Sequence, residues 1–179
     1  TLKGRGVPHR QPHRFEREQR AAFDDGWDTL SALPDELRAS PHTEVIWEDA
    51  RSAITRNDSP DIGFSLGLNP YRGCEHGCAY CYARPTHSYL NLSPGLDFET
   101  RIIAKRNIAA VLQRELLRPA YQPDLLALGT VTDAYQPVER DLRLTRAVLE
   151  VLHAARHPVA IVTKGSGVER GLDLRAPLR

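Results

Sequence analysis

From residue 62 onward, the sequence alternates short apolar runs with stretches whose apolar residues recur every three or four positions. The apolar runs are predicted to be strands, at residues 64–68, 100–105, 124–129 and 159–164. Strands that alternate with helices indicate βα units, and therefore an α/β fold with a parallel sheet. In barrels of parallel strands the reactive groups gather at the carboxyl ends of the strands, so those ends are where we look for a site.

Two helices are predicted between these strands. The first ends before Pro119, because proline lacks the N–H that a helix interior needs, and its apolar face is formed by Ile108, Val111, Leu112 and Leu116. The second begins near Glu139 and ends before Pro158, and its apolar face is formed by Leu144, Val148, Val151, Leu152 and Ala155.

Residues 1–60 are predicted to form an N-terminal extension and linker, and residues 61–179 the α/β domain. Within the extension, residues 43–47 are a candidate strand and residues 57–60 a turn. The first twenty residues are basic, with Lys3, Arg5, Arg10, Arg14, Arg17 and Arg20. They could form an arm that contacts nucleic-acid phosphates, but we favour a solvated tail because few aromatic residues accompany the charges.

The composition narrows the class of protein. A length of 179 residues suits one domain with a sizeable core, and a net charge of +1 favours no particular partner. No apolar run approaches the ~18 residues of a membrane-spanning helix, and the polar N-terminus lacks the apolar core of a secretory signal. From this we expect no membrane partner. Since the few cysteines lie at one place, we also expect a protein of the reducing cytoplasm.

All three cysteines of the chain, Cys74, Cys78 and Cys81, lie within eight residues. Their spacing is C-x3-C-x2-C, and Tyr80 directly precedes the third. Three thiolates on one loop can bind three corners of a cubane iron–sulfur cluster and leave the fourth iron open to a small molecule. Electron-transfer clusters are ordinarily held by four cysteines, so a set of three indicates cluster chemistry on a substrate or cofactor.

Two other uses of these cysteines remain open. A zinc ion would need a fourth ligand, which His76 or His87 could supply, although zinc sites usually use paired C-x2–4-C elements. The protein would then be a non-catalytic zinc-binding module that contacts nucleic acid through its basic arm. A disulfide would leave one thiol over and needs an oxidising compartment, so it is the least favoured.

The sequence around the cysteines resembles that of radical S-adenosylmethionine (SAM) enzymes, in which C-x3-C-x2-C with an aromatic before the third cysteine is the signature. The flanking sequences Asn69-Pro-Tyr-Arg-Gly-Cys-Glu-His-Gly-Cys and Cys81-Tyr-Ala-Arg-Pro-Thr-His are similar to the spore-photoproduct-lyase-like branch, also labelled DNA repair photolyase-like. The resemblance runs from about Gly4 to the C-terminus, so it covers nearly the whole chain.

The resemblance implies a [4Fe–4S] cluster on Cys74, Cys78 and Cys81 whose open iron binds SAM. Reductive cleavage of SAM then gives methionine and a 5′-deoxyadenosyl radical that abstracts a hydrogen atom from the substrate. An electron donor such as flavodoxin or ferredoxin is implied, as is a lyase-like activity. DNA repair and a nucleic-acid substrate are suggested by the family label alone. The implied fold is a partial TIM-type (βα)6 barrel, of which this chain holds about the first four βα units.

The resemblance also assigns roles to residues outside the cysteines. Thr132 and Asp133 match a Thr/Ser-Asp element whose hydroxyl residue contacts SAM, and Lys164 matches a lysine that meets the SAM carboxylate. From the residues alone, Thr132 and Asp133 are equally compatible with capping the helix near Glu139. Tyr80 matches an aromatic near the SAM adenine. Tyrosines at positions 80 and 82 are proposed to relay a hydrogen atom in spore photoproduct lyases, but we favour a role in covering the cluster.

The basic residues near the site allow two interpretations. Arg72 and Arg84 could neutralise the cluster or bind phosphate, or could form surface ion pairs with Glu75 or Glu99. Lys105, at the end of the second predicted strand, is interpreted as solvated.

The chain also departs from the family pattern. Spore photoproduct lyases place a cysteine two residues before the Thr/Ser-Asp hydroxyl as the final hydrogen-atom donor, and here that position is Thr130. We therefore expect no thymine-dimer lyase activity by that route. The sequence has no methionine and ends shortly after the fourth predicted strand, which predicts an N-terminal fragment of a longer polypeptide. An alternative to the radical SAM enzyme is therefore a truncated and inactive fragment.

Overall fold

The computed structural model describes residues 5–7, 11–12, 14–15 and 42–174. The strands are β1 (Glu44–Glu48), β2 (Thr55–Arg56), β3 (Leu66–Leu68), β4 (Tyr71–Arg72), β5 (Arg101–Lys105), β6 (Leu126–Leu128) and β7 (Val159–Ile161). The α-helices are α1 (Leu96–Thr100), α2 (Ile108–Leu116), α3 (Glu139–Leu142) and α4 (Leu144–Ala154), and 3-10 helices lie at Arg84–Leu90 and Ser166–Leu174.

Three of the four predicted strands lie side by side in one sheet. Its order is β2-β3-β6-β7, in which β2 is antiparallel to β3 and the other two pairings are parallel. Leu66 is paired with Leu126, and Leu128 with Ile161. Every residue of β3 and β6 is buried, as expected for central strands of a parallel sheet.

The fourth predicted strand, β5, lies in a different sheet. That sheet has the order β1-β5-β4, and β4 is antiparallel to β5, with Tyr71 opposite Ala104. The prediction of a single parallel sheet was therefore wrong for β5. The partial (βα)6 barrel and the domain boundary after residue 60 stay predictions.

The helix predicted near Glu139 is divided into two. Arg143 has φ 53°, in the left-handed region, so it ends α3 and precedes the first residue of α4. The apolar faces of α2 and α4 contact each other, and Val111, Leu112, Val148 and Leu152 are buried. The 3-10 helix Ser166–Leu174 contacts α4.

The chain divides into two compact units. The cysteine unit comprises Gly73–Ile102 and the described residues up to Glu44, and the sheet unit comprises Val45–Arg72 and the described residues from Ile103 onward. The core of the cysteine unit contains Phe98 and Ile102, and the core of the sheet unit is formed by the buried strands and the helices α2 and α4. Among the described residues, none of the helices is both long and apolar enough to cross a membrane.

Candidate functional site: a cysteine loop and a strand-end cluster

The three cysteines lie on a tightly turned loop of the cysteine unit. Cys74 is buried, Cys78 and Cys81 are half-buried, and no disulfide links them. The N–H of Gly77 donates to the carbonyl of Cys74, and the N–H of Cys81 to that of Cys78, both at 3.2 Å. Gly77 has φ 61°, and a Cβ atom there would lie 2.9 Å from Glu99 Oε2. The path of the loop therefore requires glycine at position 77.

Arg84 fixes the backbone of this loop. Its guanidinium donates to the carbonyl oxygens of Gly77 at 2.8 Å and Cys78 at 2.9 Å, and it forms an ion pair with Glu99 at 2.6 Å. Both side chains of the ion pair are buried, with 7% and 0% of their surface exposed. The structure shows the predicted ion pair of Arg84 with Glu99, but the prediction that it lies at the surface was wrong, because both side chains are buried.

The same carboxylate anchors the N-terminal segment. The N–H of Gly6 donates to Glu99 Oε2 at 3.0 Å, the N–H of Arg5 also donates to it, and Val7 is buried. Arg14 donates to the Tyr89 hydroxyl at 2.9 Å. The described basic residues of the predicted tail are therefore packed against this unit, whereas Lys3, Arg10, Arg17 and Arg20 lie outside the described residues.

The donor set fits an iron–sulfur cluster by its chemistry, since three unbridged thiols lie on one short loop with a fixed backbone. Within residues 5–7, 11–12, 14–15 and 42–174, no three His, Cys, Asp or Glu side chains are placed to hold a metal ion. Loading a cluster would have to draw the thiols together, and metal binding commonly supplies the free energy for such ordering.

His87, a candidate fourth ligand for zinc, packs in the interior of the cysteine unit. It is fully buried, its Nε2 lies 3.0 Å from the carbonyl oxygen of Arg101, and its ring packs edge-on against Phe98 with centroids 5.1 Å apart. His76 is half-buried on the cysteine loop itself. Of the two histidines, His76 is therefore the one that can be replaced with the smaller effect on packing.

Tyr80 and Tyr82 point away from the core of the cysteine unit. Their exposed fractions are 86% and 75%. Most of the surface of both side chains is therefore exposed, and their predicted roles beside a cluster stay predictions.

In the sheet unit, Asp133 joins the ends of two parallel strands. Its carboxylate accepts hydrogen bonds from the Tyr135 N–H at 2.8 Å, the Thr163 hydroxyl at 2.7 Å and the Lys164 N–H at 2.9 Å. The first of these closes a turn after β6, and the other two hold the chain that follows β7. The structure thus brings together Asp133 and Lys164, two of the predicted SAM-binding residues, at the carboxyl edge of the sheet, where α/β proteins bind ligands.

The structure shows a contact of Thr132 that the sequence did not predict. The Thr132 hydroxyl accepts a hydrogen bond from the Gln136 side chain at 3.1 Å, and both residues are buried. The N-cap residue of α3 is Val138, whose own side chain makes no capping hydrogen bond. Capping of this helix by Thr132 or Asp133 stays a prediction.

Asn69, at the carboxyl end of β3, has a role that was not predicted from the sequence. Its amide donates to the Thr130 hydroxyl at 3.2 Å and accepts from the Val131 N–H at 3.1 Å. Asn69 therefore ties the end of β3 to the loop after β6. A polar residue directly after a buried apolar strand was the signal that could have identified it.

The two lysines at strand ends differ from each other. Lys164 is exposed, and its contact with SAM stays a prediction. Lys105 is half-buried and its Nζ donates to the Asn69 carbonyl at 2.9 Å, so the interpretation of a solvated lysine was wrong. Burial lowers the pKa of Lys105, and Arg72 lowers it further, while Glu48 has the opposite effect. Arg72 itself forms an ion pair with Glu48 at 3.2 Å.

Glu139 is a second residue whose role the sequence analysis missed. Its buried carboxylate accepts from the N–H groups of Thr145 and Arg146, both at 3.0 Å, and from the Tyr71 hydroxyl. These N–H groups belong to the first turn of α4, so Glu139 caps that helix from outside it.

The chain was compared with known proteins. Over 133 residues, or 74% of this chain, it is 47% identical to uncharacterized proteins of Mycobacterium tuberculosis and Mycobacterium bovis. Over 131 residues, or 73% of the chain, it is 30% identical to an uncharacterized protein of Methanocaldococcus jannaschii. The matched part is 38% of the length of the mycobacterial proteins and 46% of the archaeal one, so the chain spans less than half of these curated relatives. No family model and no solved structure matches the chain.

Proposed function

We propose that this chain is a radical SAM protein or the N-terminal part of one, in which Cys74, Cys78 and Cys81 hold a [4Fe–4S] cluster. The observation that supports it is a C-x3-C-x2-C set of unbridged thiols on a loop whose backbone is fixed by Arg84. When bound, the reduced cluster supplies the electron that cleaves SAM and so generates a radical for hydrogen abstraction.

The chain's own residues would do the binding and positioning. Tyr80, Thr132, Asp133 and Lys164 are the proposed SAM-binding residues, and Lys164 offers a compact positive charge for a carboxylate. Asp133 accepts the N–H of Lys164 and thereby fixes the position of the lysine backbone. Within this proposed SAM site, Asp133 would therefore contribute at least by positioning Lys164. Tyr80 and Tyr82 are the candidates for hydrogen transfer.

The finer parts of this proposal come from the resemblance alone. They are a partial (βα)6 barrel, a lyase-like reaction, a flavodoxin or ferredoxin as reductant and a nucleic-acid substrate. A cytoplasmic location is proposed on separate grounds, from the few cysteines and their single location. The activity, substrates and partners of the longer relatives are equally proposals for this chain.

The test is anaerobic reconstitution of the purified protein with iron and sulfide. Iron and sulfide contents are measured first, and electron paramagnetic resonance spectra of the reduced sample are then compared with and without SAM. We expect a cubane signal that shifts when SAM is added, because SAM would bind the open iron. Cys74→Ser, Cys78→Ser and Cys81→Ser should each lose the signal.

His76→Ala separates the cluster from a zinc site. Cluster assembly should be unchanged in this variant, whereas stoichiometric zinc in the wild type, lost in His76→Ala, would overturn the proposal in favour of the zinc module. A cluster that assembles but does not respond to SAM would overturn the SAM part alone. Lys164→Ala should weaken the SAM-induced shift, and Arg118→Ala, at an exposed position, is its matched control.

A further inference from the structure

The sheet unit contains a cavity that Tyr135 lines, two residues after Asp133. It has a volume of about 620 Å³ and lies between α3, α4 and the 3-10 helix Ser166–Leu174. Its charged lining consists of Arg140, Arg143, Arg146, Arg170, Glu139 and Glu150. Ligand-binding pockets have volumes of about 300–1,000 Å³, so the cavity is large enough for a small molecule.

The two carboxylates of the lining are already engaged. Glu139 accepts from two N–H groups at the start of α4 and from Tyr71. Glu150 forms an ion pair with Arg146 at 2.9 Å, and Arg146 also pairs with Asp173 at 2.7 Å. Asp173 and Glu150 hold the pKa of Arg146 above its ordinary value, so this guanidinium is charged and already paired with both carboxylates.

The other three guanidiniums have no such partner. Among the described residues, Arg140, Arg143 and Arg170 form no ion pair, and all three are exposed. Three positively charged side chains without an ion-pair partner in the described structure therefore line one cavity, although the chain as a whole carries a net charge of only +1. Such an arrangement favours an anion that brings several charged oxygens into one place.

We propose that this cavity binds the diphosphate group of a small phosphorylated molecule. Guanidinium and phosphate oxygens match in geometry and form paired charge-assisted hydrogen bonds. A diphosphate offers enough charged oxygens to engage Arg140, Arg143 and Arg170 together, whereas one carboxylate would leave most of these cations unpaired. The proposal concerns the sheet unit alone and is independent of the cysteine loop.

The probe is inorganic pyrophosphate, and its binding to the full chain is measured by isothermal titration calorimetry at low and moderate ionic strength. We expect saturable binding that weakens with salt. Arg140→Gln and Arg170→Gln should each weaken it about fivefold, and the double variant by more than tenfold. These exposed arginines form no ion pair in the described structure, so the variants should keep the circular dichroism spectrum of the wild type.

Arg114→Gln, on the exposed side of α2, is the matched control and should bind like the wild type. ADP as a second probe distinguishes the source of the diphosphate, because tighter binding than pyrophosphate assigns a nucleotide and equal binding assigns the diphosphate alone. Absence of binding at millimolar pyrophosphate would overturn the proposal. So would an equal loss in Arg114→Gln, or binding of a duplex oligonucleotide without binding of pyrophosphate.

Discussion

At the scale of single residues, the carboxylate of Asp133 connects two strand ends through three donors, all at 2.9 Å or less. Asp133→Asn should lower the free energy of unfolding by about 1–3 kcal/mol, because an amide has one acceptor oxygen and turns its NH₂ group toward a donor. Urea unfolding followed by circular dichroism measures this change. Asp58→Asn removes the same charge at an exposed position and should change stability by less than about 0.5 kcal/mol. Equal effects of the two substitutions would contradict the role of Asp133.

Arg84 and Glu99 form a buried pair on which the cysteine loop depends. Arg84→Gln should destabilise the protein by about 3–5 kcal/mol, because it leaves a buried carboxylate without its cation. It should also release the carbonyls of Gly77 and Cys78 and thereby reduce the iron bound on reconstitution. Urea unfolding and iron content measure the two effects. Arg118→Gln, at an exposed position, should change neither, and a stable Arg84→Gln protein would show that the pair is dispensable.

Lys105 provides a prediction about pH. Burial holds its pKa below the ordinary value of 10.5 in the folded state, so the unfolded chain binds more protons at alkaline pH. The stability of the wild type relative to Lys105→Met should therefore rise with pH through the range just below 10.5. Unfolding titrations of both proteins across that range measure the difference. Lys164→Met, at an exposed lysine, is the control for removing a positive charge. If the difference in stability between the wild type and Lys105→Met did not change with pH, the effect of burial would be refuted.

Single residues were predicted from the sequence where the chemistry was local. The cysteines were found because their spacing is itself the signal, and the Arg84–Glu99 pair was among the alternatives considered. Lys105 was interpreted wrongly because its environment depends on Asn69, which lies far from it in the sequence. No local pattern carries that information.

At the scale of secondary structure, strand positions were predictable and one pairing was not. The apolar residues of β3, β6 and β7 identified these strands to within a few residues, and the three lie side by side and parallel in one sheet. β5 pairs instead with β4, a strand of two residues that is too short to show any periodicity. The break between α3 and α4 was equally unpredictable, because it depends on Glu139 reaching the first N–H groups of α4.

The turn after β6 depends on Gly129. This glycine has φ 86°, and a Cβ atom there would lie 2.6 Å from the carbonyl oxygen of Val162. Gly129→Ala should therefore destabilise the protein by about 1–3 kcal/mol, because it adds both backbone strain and a clash with the chain after β7. Thermal unfolding measures the loss. Gly63→Ala is the matched control, since nothing lies within 4 Å of a Cβ atom there, and a similar loss at both positions would contradict the explanation.

At the scale of the whole molecule, net charge and composition do not indicate where the charged cavity and the cysteine loop are located. A chain with a net charge of +1 contains a cavity lined by four arginines, and its only cysteines lie in one of two compact units. The sequence predicted the cysteine loop because its ligands are contiguous. The arginine cavity was not predicted, because Arg170 is brought to α3 and α4 only by the fold.

Cluster loading should stabilise the whole chain, because a group that binds only the folded state shifts the unfolding equilibrium. Within the described residues, the three thiols are not placed to hold a metal ion together. Part of the free energy of cluster binding would therefore be used to order the loop. The reconstituted protein should nevertheless unfold about 5–10 °C above the apo protein. Anaerobic differential scanning calorimetry measures this rise, and removal of the iron by a chelator should reverse it. Cys81→Ser should show no rise, and a fully loaded wild type that unfolds at the temperature of the apo protein would mean that the iron is not bound by the folded loop.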